Sequence, residues 1–210
     1  MISAEKVNEK FENKLSKKDR EELTNKVSEI CVGSGGYTSN IKKAKKILNC
    51  IFNKENPLLD INLPITKMGN TNYTPLLLAT WFDKRDIINE LIDLGAKIDN
   101  ESFNLLHVAL SKADIKVIDK FLTLNPNLIN ITSETGVNAL MVASETGKKE
   151  VVKLLIEKYK VDIHLKDKDG KTCLDHARER NQKDVEAFLM YYYLNSQLNN
   201  KETKSKVAKL

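Results

Sequence analysis

The chain has 210 residues, of which 41% are hydrophobic and 30% are charged, so it has enough apolar material for a core and no sign of wholesale disorder. Its 34 Lys and Arg residues outnumber its 29 Asp and Glu residues and give a net charge of +5. Much of this excess lies near the two ends. Elsewhere the signs are mixed, unlike the single basic face that is typical of nucleic-acid binders. We therefore expect no nucleic-acid partner.

The cysteines and the first residues restrict the compartment. Cys31, Cys50 and Cys173 are odd in number and widely separated, which predicts buried thiols in a reducing environment. The chain starts without the apolar run of a secretory signal, and no stretch is long enough to span a bilayer. We expect a cytoplasmic or other reducing intracellular compartment and no membrane association, with non-classical secretion into a host cell left open.

Residues 1–68 are predicted to form an irregular helical segment. Ser16-Lys-Lys-Asp19 is typical of a helix N-terminus, and the helix that it opens is expected to reach about Cys31. Gly33-Ser-Gly-Gly36 has the composition of a phosphate-binding loop, but it lacks the Lys-Ser/Thr ending and follows a helix, which favours a linker. Apolar residues at helical spacing then predict a second helix over Lys43–Phe52.

From residue 69 onwards one pattern occurs four times. Each copy has an Ala with a Leu three positions before it, and the Ala positions advance by 30, 34 and 34, from Ala79 to Ala109, Ala143 and Ala177. A second apolar stretch at helical spacing follows each Ala, and a polar break separates the two stretches. A unit of turn, helix, tight turn and helix cannot bury its apolar faces alone, so neighbouring units are expected to stack.

The details of this unit resemble the ankyrin repeat. Thr74-Pro75-Leu76 with Gly95-Ala96-Lys97-Ile98-Asp99 is the nearest copy, and Asp167–Thr172 resembles the hairpin turn of that family. The resemblance covers about residues 69–190. It implies an all-α ankyrin-repeat solenoid of stacked helix-turn-helix units with short hairpin loops, preceded by an irregular helical N-terminal cap or degenerate repeat at residues 1–68. The predicted N-caps of the first helices are Thr74, Asn104, Asn138 and Thr172.

The sequence also departs from the family pattern. The step of 30 predicts a shortened hairpin at Asp99–Phe103. The last helix is predicted to extend to Leu198, so residues 69–198 form the repeat domain, and residues 199–210 form a basic tail that we expect to be disordered. Three copies lack the family's usual His in the first helix, and the residues in its place are Leu77, Met141 and Asp175.

Catalytic and metal-binding candidates are few. Asp167-x-Asp169-Gly170 is similar to the start of a calcium loop, but the Glu of the twelfth position is missing. No candidate nucleophile is accompanied by a general base and a residue that would orient that base. We expect no enzyme activity, no cofactor and no metal. Four residues come nearest to a zinc ligand set, but the repeat register predicts that their side chains point in different directions. They are His164, Cys173, Asp175 and His176.

The resemblance implies that a partner protein binds along the hairpin tips and the exposed side of the first helices. Aromatic residues at such positions anchor interfaces, so we expect an aromatic centre with an acidic flank. The alternative is that Trp81 and Phe82 pack beneath the N-terminal segment. The predicted contact residues are Tyr73, Trp81, Phe82, Phe103, Ser111, Lys112, Glu134, Glu145 and Arg180.

These observations favour a monomeric scaffold or adaptor whose partner is another protein. Two alternatives remain open at this point. In one, residues 1–68 form a small catalytic or modifying module, and the repeats are its targeting arm. In the other, the protein is a secreted effector of an intracellular bacterium, a setting that the resemblance implies because AT-rich ankyrin proteins are common there.

Overall fold

The computed structural model describes residues 15–34, 40–53, 55, 57–68, 71–98 and 103–207, with side chains as far as residue 196 except at 68, 103 and 104. The chain divides into two compact units. The first extends to Ile98 and includes Lys112–Asp114, and the second comprises Asp99–Ser111 and the chain from Ile115 onwards. The first recognisable repeat thus belongs with the N-terminal segment, whereas the sequence predicts a boundary between residues 68 and 69.

Two helices form the N-terminal segment of the first unit. Helix α1 (Lys17–Val32) begins as predicted, because the Ser16 hydroxyl accepts a hydrogen bond from the Asp19 amide at 3.2 Å. It ends at Gly33, whose φ of 82° turns the chain out of the helix. Helix α2 (Ile41–Ile51) matches the second predicted helix within two residues at either end. The rest of the predicted linker, residues 35 and 36, lies outside the described residues.

Both helices pack on the first recognisable repeat. Helix α1 packs on α3 (Pro75–Trp81), and α2 packs on α4 (Arg85–Asp93). Before α3, a short antiparallel hairpin pairs strand β1 (Thr66–Met68) with strand β2 (Thr71–Tyr73). Apolar residues that recur every three or four positions give each N-terminal helix one apolar face. The buried residues on these faces are Val27, Ile30 and Cys31 in α1 and Ala44, Leu48 and Ile51 in α2.

The second unit is built from helix pairs. Helix α7 (Ala139–Glu145) packs on α9 (Cys173–Glu179), and both α8 (Lys149–Glu157) and α9 pack on α10 (Lys183–Val207). The last helix continues past Leu198, so residues 199–207 are helical where the sequence predicts a disordered tail. No helix in the described residues is both long and apolar enough to cross a bilayer. The helices are α5 (Phe103–Lys112, the last residue grouping with the first unit), α6 (Ile115–Leu124), α7 (Ala139–Glu145), α8 (Lys149–Glu157), α9 (Cys173–Glu179) and α10 (Lys183–Val207), with a 3₁₀ turn at Pro126–Asn130.

Three of the four predicted N-caps are confirmed. The side chains of Thr74, Asn138 and Thr172 accept hydrogen bonds from the amides three residues further on, at 3.0 to 3.4 Å. Asn104 is not an N-cap, because α5 already begins at Phe103 and Asn104 lies within its first turn. The remainder of the predicted short hairpin, residues 99–102, lies outside the described residues.

Two of the residues that replace the usual His complete these caps. The Asp175 carboxylate accepts hydrogen bonds from the Thr172 amide at 2.8 Å and from its hydroxyl at 2.7 Å. The Met141 sulfur accepts the Asn138 amide at 3.5 Å. Each pair satisfies two backbone donors reciprocally, so these helices begin without the help of an imidazole.

The repeated alanine is fully buried in every copy. Two of these alanines are followed by a residue with a buried hydroxyl that donates to the carbonyl four positions earlier. Thr80 donates to Leu76 at 2.8 Å, and Ser144 donates to Leu140 at 2.7 Å. Small side chains that satisfy their own polar atoms leave a flat face on which a neighbouring helix can pack. The alanines with 0% exposure are Ala79, Ala109, Ala143 and Ala177.

The three thiols follow the sequence prediction only in part. Cys31 and Cys173 are buried, and burial raises the pKa of the Cys173 thiol to about 12. The prediction is wrong for Cys50, which is exposed on α2. Cys50 lies on the solvent side of α2, because the apolar face of this helix is formed by Ala44, Leu48 and Ile51.

In three of the four helix pairs, the tight turn contains a residue with a left-handed backbone. The φ angle is 48° at Asp83, 74° at Gly147 and 55° at Asn181, all at polar breaks located from the sequence. Gly147 has a second constraint. A Cβ at this position would clash with Oε1 of Gln182, whose amide group donates to the Glu145 carbonyl at 3.0 Å.

We expect Gly147→Ala to cost more stability than Gly170→Ala. The two glycines have similar φ angles, 74° and 79°, so both variants lose about 1–2 kcal/mol to left-handed strain. Only the Gly147 variant displaces Gln182, and loss of its hydrogen bond removes about 1 kcal/mol more. Gly170 has open space around its Cβ position. Urea unfolding measures both free energies, and equal losses would contradict a role for Gln182.

Candidate partner-binding surfaces

The first candidate surface lies at the end of α3 in the first unit. This helix ends at Trp81, and Phe82 follows it. The left-handed turn at Asp83 leads the chain into α4, and both aromatic side chains remain accessible, Trp81 at 37% and Phe82 at 38% exposure. The described part of the N-terminal segment therefore packs on α3 and leaves more than a third of each aromatic side chain exposed. We call Trp81, Phe82 and Lys112 the aromatic surface.

Two contacts fix the ring of Trp81. The ring of Tyr73 meets it edge to face, with centroids 6.0 Å apart and planes at 90°. The Lys112 ammonium lies 5.1 Å from the centroid of the Trp81 ring, within the range of a cation–π contact. A partner would therefore meet a side chain whose orientation is already restricted, which lowers the entropic cost of binding.

Tyr73 itself is buried, so its prediction as a contact residue is wrong. Along β2, Thr71 is half-buried, Asn72 is exposed and Tyr73 is only 6% exposed. This alternation follows from the pairing of Tyr73 with Thr66 in β1, because successive side chains of a strand point to opposite faces. Tyr73 supports Trp81 from inside the unit. The alternation of inward and outward side chains along a short strand is the signal that could have indicated the burial of Tyr73.

The residues predicted on α5 are divided between the two units. Phe103 is the first residue of the helix rather than a hairpin-tip residue, so its predicted placement is wrong, and its side chain lies outside the described residues. Ser111 is half-buried in the second unit. Lys112 is exposed and groups with the first unit. Lys112 is therefore the α5 residue that the structure brings to Trp81.

The second candidate surface, in the second unit, is charged, and we define the charged surface by Glu145, His176 and Arg180. The Arg180 guanidinium donates through Nε to Oε1 of Glu145 at 2.7 Å. Nδ1 of His176 lies 3.9 Å from the other oxygen of Glu145. Glu145 and Arg180, both predicted as contact residues, are thus paired with each other. Glu134, the third charged residue predicted in this unit, is exposed in the turn before α7.

Asp167 holds His176 and the adjacent hairpin turn together. Its carboxylate lies 2.9 Å from Nε2 of His176 and accepts the amides of Asp169 and Lys171, each at 2.9 Å. Burial acts to raise the pKa of Asp167, but the hydrogen bonds hold it below its ordinary value. Protein donors thus occupy this carboxylate, as a structural turn requires. The sequence did not identify Asp167 and His176 as partners, since they lie on different elements.

The residues that resemble a zinc ligand set each have a separate partner. The Cys173 thiol donates to the Ile163 carbonyl at 3.5 Å, and the His164 ring lies edge to face on Tyr193 with centroids 4.8 Å apart. Asp175 caps α9, as described above, and His176 binds Asp167. Across the described parts of the chain, no three His, Cys, Asp or Glu side chains converge as a metal site would need.

Comparison with known proteins relates the helix pairs to one family. A model of ankyrin repeats matches residues 106–202, in three copies. A putative ankyrin repeat protein of fowlpox virus is 31% identical over 114 residues, which cover 54% of this chain and 27% of the relative. The NAD-capped RNA hydrolase of Homo sapiens is 35% identical over 80 residues, or 38% of this chain and 17% of the hydrolase. An ankyrin repeat and SAM domain-containing protein of Rattus norvegicus is 28% identical over 111 residues, or 51% and 12%. The chain therefore spans less than a third of the length of these relatives.

We expect Asp175→Asn to lower stability at pH 7 but not in acid. The Thr172 amide and hydroxyl donate to the charged carboxylate and hold the pKa of Asp175 below its ordinary value of 3.8. The contribution of this cap is therefore complete above pH 3.8 and is lost as the pH falls through the lower pKa of the folded chain. Since the side chain is 43% exposed, we expect a loss of only about 0.5 kcal/mol at neutral pH.

Urea unfolding of the native protein and of the Asp175→Asn variant between pH 7 and about pH 2.5 measures this effect. The difference between the two free energies of unfolding should shrink as the pH falls through the lower pKa of the folded chain, because a protonated carboxyl resembles the amide. A difference that stays constant across the range would show that the charge of Asp175 is not its cause.

Proposed function

Because the chain is an ankyrin-repeat protein, we propose that it is a scaffold or adaptor that binds another protein along its hairpin tips and first helices. Ankyrin repeats generally mediate protein–protein interaction, and their helix pairs give a framework on which surface residues can vary. The observation that carries the proposal is the aromatic surface, where Trp81 is exposed yet held in one orientation by Tyr73 and Lys112.

A fixed and accessible tryptophan is well suited to anchor a partner. Its large ring gives up much water-exposed apolar area on binding, and such residues often dominate the affinity of an interface. Since Trp81 is already restricted by two contacts, its ordering costs little further entropy. Phe82 is next to it and equally exposed, so it extends the apolar area.

The charged surface would contribute selectivity more than affinity. Glu145 and Arg180 already form an ion pair, and exposed pairs of this kind contribute little to free energy by themselves. A partner with the wrong charge would disturb the pair, which excludes unsuitable partners. In the same unit, Ser111 and Glu134 would supply polar contacts of the kind found at an interface rim.

We also favour binding over catalysis for residues 1–68. Their described part consists mainly of two helices that pack on α3 and α4, which supports a cap on the repeats rather than a separate module. We accordingly propose no enzyme activity, no cofactor and no nucleic-acid partner. Three free thiols agree with a reducing compartment, and a monomer would suffice for this role. A role as a secreted bacterial effector would use the same surfaces.

Trp81→Ala should abolish the capture of the partner while the chain stays folded. Loss of a central aromatic anchor typically weakens binding by 2 kcal/mol or more, roughly 30-fold. The free energy of unfolding should fall by about 2 kcal/mol, because Trp81 is 37% exposed and loses part of its packing together with the ring contact to Tyr73. Affinity capture from cells that express the protein, combined with thermal unfolding, measures both effects.

Tyr191→Ala is the matched control for this experiment. Tyr191 is 62% exposed on α10 and also makes one edge-to-face contact, with Tyr192 at 5.6 Å. Because Tyr191 is more exposed than Trp81, the control variant should lose somewhat less stability, and it should retain the partner. The proposal fails if both variants capture the same proteins as the native chain, or if Trp81→Ala unfolds the chain and thus reveals a packing role.

A further inference from the structure

Lys112 carries a positive charge that no carboxylate in the described residues balances by an ion pair. Its ammonium instead lies over the Trp81 ring, 5.1 Å from the centroid. Arg85, at the start of the next helix, is paired with Asp114 at 2.7 Å. The aromatic surface therefore combines exposed apolar area with one positive charge that is open to a partner.

Two carboxylates near the aromatic surface, those of Asp83 and Asp114, already accept contacts from other residues. Asp83 follows Phe82 directly, and its carboxylate accepts the Asp114 amide at 3.2 Å. The Asp114 carboxylate in turn receives the Arg85 guanidinium. Both carboxylates are thus engaged at the turns between helices. A partner that contacts Trp81 therefore meets the ammonium of Lys112 over the ring, while Asp83 and Asp114 already hold other contacts.

We propose, resting on the binding role above, that the aromatic surface receives an acidic–apolar segment of the partner protein. An aliphatic or aromatic side chain of that segment packs on Trp81 and Phe82, and a neighbouring Asp or Glu pairs with Lys112. The ammonium is 5.1 Å from the ring centroid. Side chains two positions apart in an extended segment point to the same face about 7 Å from each other, so they reach both contacts.

Binding itself strengthens this pairing. An apolar side chain that covers Trp81 also removes water from Lys112, so the attraction between ammonium and carboxylate increases. A basic segment would bring a like charge to a partly desolvated ammonium, and a neutral segment would leave that ammonium unpaired. A nucleic-acid backbone is matched by several cations in series, whereas the aromatic surface contains one.

A random-peptide display library tests this chemistry without knowledge of the partner. Peptides are selected on the folded full chain and counter-selected on Trp81→Ala, so that Trp81-dependent binders are retained. We expect retained peptides to be enriched in Asp or Glu within two positions of Leu, Ile, Met or an aromatic residue. Retained peptides that are basic or neutral overturn the inference, and so does a selection that yields no Trp81-dependent peptide.

Variants of Lys112 then test the ion pair directly. Trp81 is the only tryptophan of the chain, so its fluorescence reports binding of a selected peptide at this surface. Lys112→Met should weaken an acidic peptide about two- to fivefold, and Lys112→Glu about tenfold or more because it adds repulsion. Lys149→Glu is the matched control, since Lys149 lies over the Phe188 ring at 5.9 Å in the second unit.

The control should bind the peptide as the native chain does. Equal weakening by Lys149→Glu, or unchanged binding by Lys112→Glu, overturns the acidic–apolar assignment. These results are distinguishable from failure of the proposed function. Partner capture that depends on Trp81, together with peptides that ignore Lys112, overturns only the chemistry of the segment, whereas capture that is independent of Trp81 overturns the binding role of this surface.

Discussion

The close approach of neighbouring helices is the constraint on which the rest of the structure depends. The repeated alanine has no exposed surface in any copy, and within the second unit α7 and α9 pack directly on each other. A larger side chain at this position would force the helices apart, because protein interiors have little spare volume. The alanine period therefore fixes the spacing of the helix pairs, and with it the positions at which side chains reach the surface.

Much of the fold could be predicted from the sequence because its rules are local. N-caps, polar breaks and apolar stripes depend on residues within a few positions of each other, and Thr74, Asn138 and Thr172 have the predicted hydrogen bonds. Asn104 differs because it follows the one shortened step of the repeat, 30 residues, and α5 begins earlier, at Phe103. Where the period changes, a local pattern no longer has a fixed register.

The candidate site was harder to predict because its contacts are non-local. The resemblance predicts which positions face a partner, and the structure shows that Trp81 and Phe82 are exposed. It could not show that Tyr73 is turned inward, since that depends on pairing with a second strand. Nor could it show that Glu145 is already bound by Arg180, a residue 35 positions away. Burial and charge pairing at a surface are decided by the folded arrangement of neighbours.

The two surfaces differ in how much of their charge is already satisfied. On the charged surface, Glu145, His176 and Arg180 contact one another or Asp167, so a partner gains little there unless it displaces an existing contact. On the aromatic surface, apolar burial and charge pairing are both still available, and the two reinforce each other as water leaves. Affinity is therefore expected to concentrate at Trp81, while the charged surface restricts which partners can approach. The repeat determines where these side chains project, and the substitutions at the projecting positions determine which of them are left unsatisfied.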